Sequence, residues 1–197
     1  MYNILGPVDN APGEDASGWW NGLRRHFPLF KHKEKRMYTP ILATLGFVLS
    51  ADATKTLLIH RIGRTNDYHY GKYNGLGGKL KAGEDIVSCI KREVHEEAGL
   101  EVSDISMRGT INWKGFGGEG EDWFGFIFLI REYSGTPYSH NSEGSLVWKD
   151  IDVLDTLPMW EGDRFFLPLV FDDDHRIFHG VMPYVGGVPV GWQYSRV

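Results

Sequence analysis

Residues Gly78–Leu100, GKLKAGEDIVSCIKREVHEEAGL, form the most informative segment of the sequence. It predicts a glycine-containing loop that runs into an amphipathic helix with three glutamates in its last turns. At about 100° per residue, four residues form an apolar stripe facing the core: Ile86, Val87, Ile90 and Val94. Glu97 falls within this stripe, whereas Glu93 and Glu96 lie on one flank. A carboxylate on a buried face is costly unless it is paired, protonated or bound to a cation.

The three glutamates stand at i, i+3 and i+4, so they are neighbours on one helix surface, where like charges repel. One interpretation is a solvated acidic face whose charge is offset by Lys91 and Arg92. The other is a metal site, which is favoured by the inward direction of Glu97 and by the tight Gly77-Gly78 turn, whose backbone can approach a ligand closely. Oxygen-rich clusters of this kind suit hard cations such as Mg²⁺ or Mn²⁺.

Most of the remaining pattern predicts strands. Apolar runs bounded by turn residues predict strands over residues 41–50, 56–62, 72–76, 102–113, 123–131, 145–148 and 176–184, and a second helix over residues 164–171. Residues 186–192 are interpreted as an extra hairpin. Many strands, with one helix midway and one late, predict an α+β or α/β sandwich.

The first residues differ in composition from the rest of the chain. Residues 1–17 are rich in Gly, Pro and Asp and predict coil. Four residues follow at roughly helical spacing and predict a short docked helix: Trp19, Trp20, Leu23 and Phe27. The basic run over residues 31–36 is interpreted either as a solvated linker or as a contact to substrate phosphate or to a second subunit.

The overall composition narrows the class of protein. The 197-residue chain has a net charge of −5, so stable nucleic-acid binding is not expected, because it usually needs a basic footprint. The single cysteine, Cys89, excludes an internal disulfide, fits a reducing compartment and is predicted to be a core residue. No leader and no apolar run of transmembrane length is visible. We therefore expect a soluble cytoplasmic protein without membrane contact, either a monomer or a homodimer.

The stretch from residue 78 to residue 100 resembles the Nudix box, G-x5-E-x7-R-E-U-x-E-E-x-G-U, in which U is a bulky aliphatic residue. Every fixed position is filled, by Gly78, Glu84, Arg92, Glu93, Val94, Glu96, Glu97, Gly99 and Leu100. The resemblance implies the Nudix fold, a mixed β-sheet held between helices in an α/β/α sandwich of the α+β class, over about residues 41–183. It predicts an N-terminal extension over residues 1–37 and a Nudix hydrolase domain over residues 38–197.

The resemblance also implies a reaction, the hydrolysis of a nucleoside diphosphate linked to a further group, with Mg²⁺ as cofactor and Mn²⁺ as a substitute. Glu93 and Glu97 would be direct metal ligands, and Glu96 would bind directly or through water. The backbone carbonyl of Gly77 would supply another oxygen. Such ions neutralise phosphate charge, orient the phosphates and lower the pKa of bound water.

Three further residues gain roles by resemblance. Arg92 would orient the carboxylates, and Glu84 would support the metal ligands without contacting the metal itself, although a negative charge near a helix N-terminus is favourable in any case. Glu143 matches the position of an additional acidic base or ligand in the oxidised-purine nucleotide hydrolases of the family. The alternative for Glu143 is an exposed loop residue without a role.

The resemblance to these oxidised-purine hydrolases continues outside the box. The run Asn74-Gly75-Leu76-Gly77-Gly78-Lys79 is similar to their Asn-Gly-Phe-Gly-Gly-Lys, and later segments match in order. By resemblance, Asn74 would hydrogen-bond the purine edge, Trp160 would stack on it and Asp163 would read the base. Lys79 is also predicted to bind substrate.

Other positions complete or modify this predicted base pocket. Tyr68 is predicted to bind substrate as a further wall, together with Trp113 and Phe116. Gly162 stands where these hydrolases have the first of two adjacent aspartates. The loss of that carboxyl removes a group that could distinguish oxidised bases, so the base preference of this chain stays open.

Three functions are compatible with these residues. The leading hypothesis is a Mg²⁺-dependent nucleoside triphosphate diphosphatase, which cleaves a purine (deoxy)nucleotide such as 8-oxo-dGTP to monophosphate and pyrophosphate and so sanitises the nucleotide pool. The second is the same chemistry on ADP-ribose, a dinucleoside polyphosphate or a capped RNA 5′ end. The third is a non-catalytic nucleotide-binding module, which the intact box glutamates disfavour.

Overall fold

The computed structural model describes residues 37–197. The docked helix and the basic run predicted within residues 1–36 lie outside the described residues, and the boundary at residue 38 stays a prediction. Among residues 37–197, no helix has the length and apolar character needed to cross a membrane.

The helices and strands follow one another as β1 (Ile41–Leu49), β2 (Lys55–His60), β3 (Tyr73–Asn74), α1 (Ile86–Ala98), β4 (Glu101–Trp113), β5 (Trp123–Ser134), β6 (Ser145–Asp150), a short 3-10 helix (Ile151–Thr156), α2 (Asp163–Phe171), β7 (Phe178–Val181), β8 (Tyr184–Val185), β9 (Val188–Pro189) and β10 (Gln193–Arg196). The predicted second helix is therefore confirmed to within one residue.

Eight strands form one mixed sheet. Its order is β10-β7-β4-β5-β1-β2-β3, and β6 pairs with β2. The pairs β1–β5 and β4–β7 are parallel, and the other pairs in the sheet are antiparallel. The parallel β1–β5 pair lies at the centre, which matches the continuous apolar runs in both strands.

The sheet separates two hydrophobic layers. Along β1, Phe47 and Leu49 belong to one buried cluster and Val48 to the other, as the alternation of side chains in a strand requires. Helix α2 packs into the first cluster through Phe166, and helix α1 packs into the second through Ile90. The predicted α+β architecture, a mixed sheet between helices, is confirmed.

The C-terminal region differs in part from expectation. A hairpin is present but begins before the predicted residues 186–192, since β8 and β9 pair around Gly186-Gly187, whose positive φ angles of 59° and 79° suit a tight hairpin turn. The strand predicted over residues 176–184 is shorter and ends at Val181, just before Pro183, which has no N–H to donate. Strand β10 was not predicted because its residues are mostly exposed and lack apolar alternation.

Candidate active site

Helix α1 begins and ends at residues suited to those positions. The Asp85 carboxylate accepts hydrogen bonds from the backbone N–H groups of Val87 (2.8 Å) and Ser88 (3.0 Å). A cap of this kind contributes about 1 kcal/mol. Gly99, with φ of 72°, ends the helix in the left-handed conformation that favours glycine. The caps fix the length of helix from which the box glutamates project.

One face of α1 is buried, through Cys89, Ile90, Val94 and Ala98. The prediction that Cys89 is a core residue is confirmed. The prediction that Val87 joins the stripe is wrong, because its side chain is 38% exposed. Val94 lies at nearly the same angle two turns further on and is fully buried, so the difference comes from the position along the helix axis: the first turn extends beyond the core.

The Gly77-Gly78 turn lies tightly between β1 and α1. Gly77 has φ of 146°, and a Cβ atom there would lie 2.2 Å from the carbonyl oxygen of Thr44. At Gly78, a Cβ atom would lie 2.6 Å from the carboxylate carbon of Glu93. Glycine is therefore required twice, since the backbone passes β1 on one side and a box glutamate on the other.

Arg92 neutralises three of the box carboxylates. Its Nε and Nη2 donate to the two oxygens of Glu84 at 2.7 and 3.0 Å. Its Nη1 donates to Glu93 at 2.7 Å and to Glu96 at 3.2 Å. The hydrogen bonds from Arg92 lower the pKa of Glu84 to about 2. Glu84 thus lies behind Arg92, whereas Glu96 is half exposed at the surface.

Glu97 is the box glutamate that turns inward. Its Oε2 accepts a hydrogen bond of 2.9 Å from the backbone N–H of Gly77. Burial raises the pKa of the Glu97 carboxyl well above its ordinary 4.5, and the nearby charges of Glu143 and Glu93 raise it further. Negative charge at this point is therefore only partly compensated by the protein.

Glu143 lies on the loop before β6 and is held by a residue that sequence reasoning missed. Arg61 Nη1 donates to Glu143, and Arg61 Nε donates to Asp67 at 2.7 Å. All three side chains are no more than 25% exposed. The loop is fixed to helix α1 as well, because Asn141 donates 3.0 Å to the carbonyl oxygen of Glu97. Glu143 is thus a restrained, ion-paired residue and not an idle surface glutamate.

The acidic side chains have the chemistry to bind a divalent ion, but their oxygen atoms do not converge on a single point. Across residues 37–197, no three side chains of Asp, Glu, His or Cys stand close enough to enclose an ion. The partly uncompensated charge of Glu97, with Glu93 and Glu143 near it, is the environment that a hard cation would relieve. Glu93, Glu96, Glu97 and the Gly77 carbonyl remain the predicted ligands.

A cavity of about 300 Å³ opens beside this acidic region. Its wall includes residues predicted to bind the base and residues of the predicted metal-binding region. The lining residues include Arg61, His69, Asn74, Gly77, Gly78, Lys79, Trp113, Phe116, Trp123, Glu143, Trp160 and Asp163. The fold therefore brings the predicted base-binding residues and the predicted acid Glu143 to one cavity. Lys79 Nζ lies 5.0 Å from the Trp123 ring centroid, where it adds positive charge to the wall.

Trp160 is held by contacts on several sides. Its indole N–H donates to His69 Nδ1 over 2.8 Å, and Lys72 Nζ lies 4.4 Å from its ring centroid. The Tyr68 ring lies 4.8 Å away at an angle of 30°, and the Phe116 ring 5.1 Å away, edge to face. Tyr68 also donates to the carbonyl oxygen of Phe116, which links two loops over the indole.

The position of the missing aspartate is filled by other side chains. A Cβ atom at Gly162 would lie 2.1 Å from the Tyr184 hydroxyl and 2.4 Å from Met182 Sδ. No larger residue fits there without a shift. The neighbouring Asp163 is retained, and burial raises its pKa to about 7. This site therefore has one aspartate, protonated over part of the neutral range, instead of two.

Arg61, Asp67 and His69 are the residues that sequence reasoning missed. Arg61 falls within the strand predicted over residues 56–62, whereas Asp67 and His69 lie in the connection between β2 and β3. The length of this connection was the signal in the sequence that pointed to functional residues, because loops of about a dozen residues without regular structure are commonly functional.

Comparison with known proteins agrees with the geometry. The NUDIX domain model matches residues 40–179. The chain is 38% identical over 100 residues to the oxidized purine nucleoside triphosphate hydrolase of Danio rerio, a match that covers 51% of this chain and 63% of that protein, just under two thirds of its length. It is 29% identical over 110 residues to the uncharacterized Nudix hydrolase YvcI of Bacillus subtilis, covering 55% of this chain and 69% of that protein.

Among solved structures, the MutT protein from Bacillus halodurans is 26% identical, with a TM-score of 0.68 over 79% of this chain and 97% of the other. The family model covers well over half of the chain and includes the box, the cavity and helix α2. This chain belongs to the NUDIX domain family.

Proposed function

We propose that this protein is a Nudix hydrolase, a Mg²⁺-dependent nucleoside triphosphate diphosphatase that sanitises the cytoplasmic nucleotide pool. It would cleave 8-oxo-dGTP or a related purine (deoxy)nucleotide to monophosphate and pyrophosphate. The observation that carries the proposal is the shared cavity, which is lined by Asn74, Trp160 and Asp163 and also by Glu143 and the Gly77-Gly78 turn. A base bound among the first three would direct its phosphates toward the acidic end.

The base end of the cavity suits a planar, polar ring. Trp160 offers an aromatic face of the kind on which bases stack, at about 1–3 kcal/mol per base. Asn74 and Asp163 supply hydrogen-bonding groups in the lining of the cavity. A pKa of about 7 allows Asp163 to donate when protonated and to accept when ionised.

The phosphate end has the groups that hydrolysis needs. Mg²⁺ held by Glu93, Glu96, Glu97 and the Gly77 carbonyl, with Mn²⁺ as a substitute, would supply charge neutralisation and water activation. Glu143 is suited to accept a proton from the attacking water, and its pairing with Arg61 fixes the direction of its carboxylate. Lys79 would offset phosphate charge from the cavity wall.

A hydrolysis panel tests the proposal. The full chain, with Mg²⁺ or Mn²⁺, is given 8-oxo-dGTP, 2-hydroxy-dATP, dGTP, dATP, ADP-ribose and a diadenosine polyphosphate, and products are separated by ion-exchange chromatography. We expect purine triphosphates to give monophosphate and pyrophosphate in equal amounts, only when metal is present. Preferential cleavage of ADP-ribose or of the dinucleotide would overturn the substrate assignment.

A further inference from the structure

His69 lies at the meeting point of two predicted base-binding residues. Its Nδ1 accepts the indole N–H of Trp160 at 2.8 Å, and the side-chain amino nitrogen of Asn74 lies 3.1 Å from the same atom. His69 is partly buried and lines the cavity. The family resemblance assigns no role to this position.

The contact with Trp160 fixes the tautomer of His69. An indole N–H can only donate, so Nδ1 must carry a free lone pair and the ring proton must sit on Nε2. Burial and the nearby charge of Arg61 lower the pKa of His69 to about 4, which keeps the ring neutral. At neutral pH, Nδ1 is therefore unprotonated and can only accept hydrogen bonds.

Because His69 Nδ1 can only accept a hydrogen bond, it also orients the carboxamide of Asn74. If that carboxamide were flipped, its oxygen would face Nδ1, and two acceptors would repel each other. The amino group therefore points to His69 and the oxygen points elsewhere. Asn74 Oδ1 is buried and has no hydrogen-bond partner among residues 37–197. Buried acceptors without partners are rare and costly, which indicates that a ligand donates here.

We propose that His69 is a positioning residue for base selection: it holds the Trp160 indole and turns the Asn74 oxygen toward the base, so the pocket selects purines that present an N–H donor. The choice of purine nucleotides as the ligand class rests on the proposed function. His69 is itself held in place, since its backbone N–H donates to Asp67 at 3.0 Å and Asp67 is clamped by Arg61.

The proposal is tested by product binding, which needs no turnover. Calorimetry compares AMP and IMP, which carry N–H donors on the base, with purine riboside monophosphate, which carries none. For the wild type we expect the better of the two donor-bearing nucleotides to bind about tenfold more tightly, the effect of one buried hydrogen bond. Equal binding of all three nucleotides would overturn the proposal.

Two substitutions separate positioning from simple packing. In His69→Asn, the amide oxygen can occupy the place of Nδ1, so the tenfold preference should persist. In His69→Leu the acceptor is lost, and the preference should fall below about threefold. A His69→Leu variant that keeps the full preference would contradict the proposed role.

The tautomer provides a readout that does not depend on any ligand. Long-range ¹H–¹⁵N spectra of the wild type should show His69 Nδ1 unprotonated and Nε2 protonated at neutral pH, and the reverse pattern would overturn the proposal. Because neither readout involves catalysis, a failure to hydrolyse triphosphates would count against the proposed function alone.

Discussion

The backbone N–H of Gly77 donates to Glu97 Oε2 over 2.9 Å, so the turn before the box is tied directly to the last turn of its helix. Burial raises the pKa of Glu97, and the charges of Glu143 and Glu93 near it raise that pKa further. The Gly77 turn, helix α1 and Glu143 thus meet at the carboxylate of Glu97.

Glu97→Gln should reduce kcat to less than about a tenth of the wild-type value. Glutamine can still accept the Gly77 N–H but has no charge with which to hold a cation. The fold should persist, because the substitution removes a carboxylate that burial and like charges disfavour. The measurement is initial rate with Mg²⁺, with the melting temperature as a check on folding.

Glu101→Gln is the matched control for this prediction. Glu101 begins β4 and its side chain is 72% exposed. It should keep wild-type activity. Retention of more than about a tenth of the rate by Glu97→Gln would remove Glu97 from the metal site.

Trp160→Ala should raise KM for purine triphosphates by about five- to a hundredfold, because the stacking surface for the base is lost. Hydrolysis of inorganic tripolyphosphate, which has no base, should change much less. Trp148→Ala serves as a control, since Trp148 lies on β6 against Tyr133 and not on the cavity wall. An equal effect on both substrates would place Trp160 outside base recognition.

Asp163 should make stability fall as the pH rises. Burial raises its folded pKa from 3.8 to about 7, so its contribution to stability is fully present below pH 3.8 and is lost as the pH passes about 7. Asp163→Asn mimics the protonated form and should remove this loss. Denaturant unfolding between pH 5 and pH 8, a window on either side of this pKa, checks it. Parallel stability curves for the two proteins would refute the assignment.

Gly162→Ala should destabilise the fold by about 1–3 kcal/mol, because the added methyl group meets the Tyr184 hydroxyl and Met182. Tyr184→Phe removes the hydroxyl and should make the alanine less costly. A double-mutant cycle on unfolding free energies measures the coupling. If the changes in unfolding free energy of the two single variants simply added up to that of the double variant, the hydroxyl would not occupy this space.

The features predicted from the sequence are those set by local spacing. The box fixes which residues of α1 project together, and β1 and β5 are apolar over most of their paired length because both strands are central. Val87 was wrongly placed because a helical wheel describes angle but not where along its axis a helix leaves the core.

The residues that were missed depend on contacts between distant parts of the chain. Arg61 reaches Glu143 across 82 positions, and His69 meets Trp160 across 91. Neither pairing leaves a local pattern, and both become visible only when β2, the loop before β6 and the segment before α2 are folded together. The occupation of the space beside Gly162 by the Tyr184 hydroxyl, which leaves no room for a side chain there, is also a contact between separate segments.

Anomalous diffraction from crystals soaked in Mn²⁺ shows whether the box glutamates bind a divalent ion, since it locates the ion without reference to activity. We predict a manganese peak in contact with the carboxylate oxygens of Glu93 and Glu97, and no such peak in Glu97→Gln. A peak elsewhere, or wild-type carboxylates left without manganese, would contradict the account.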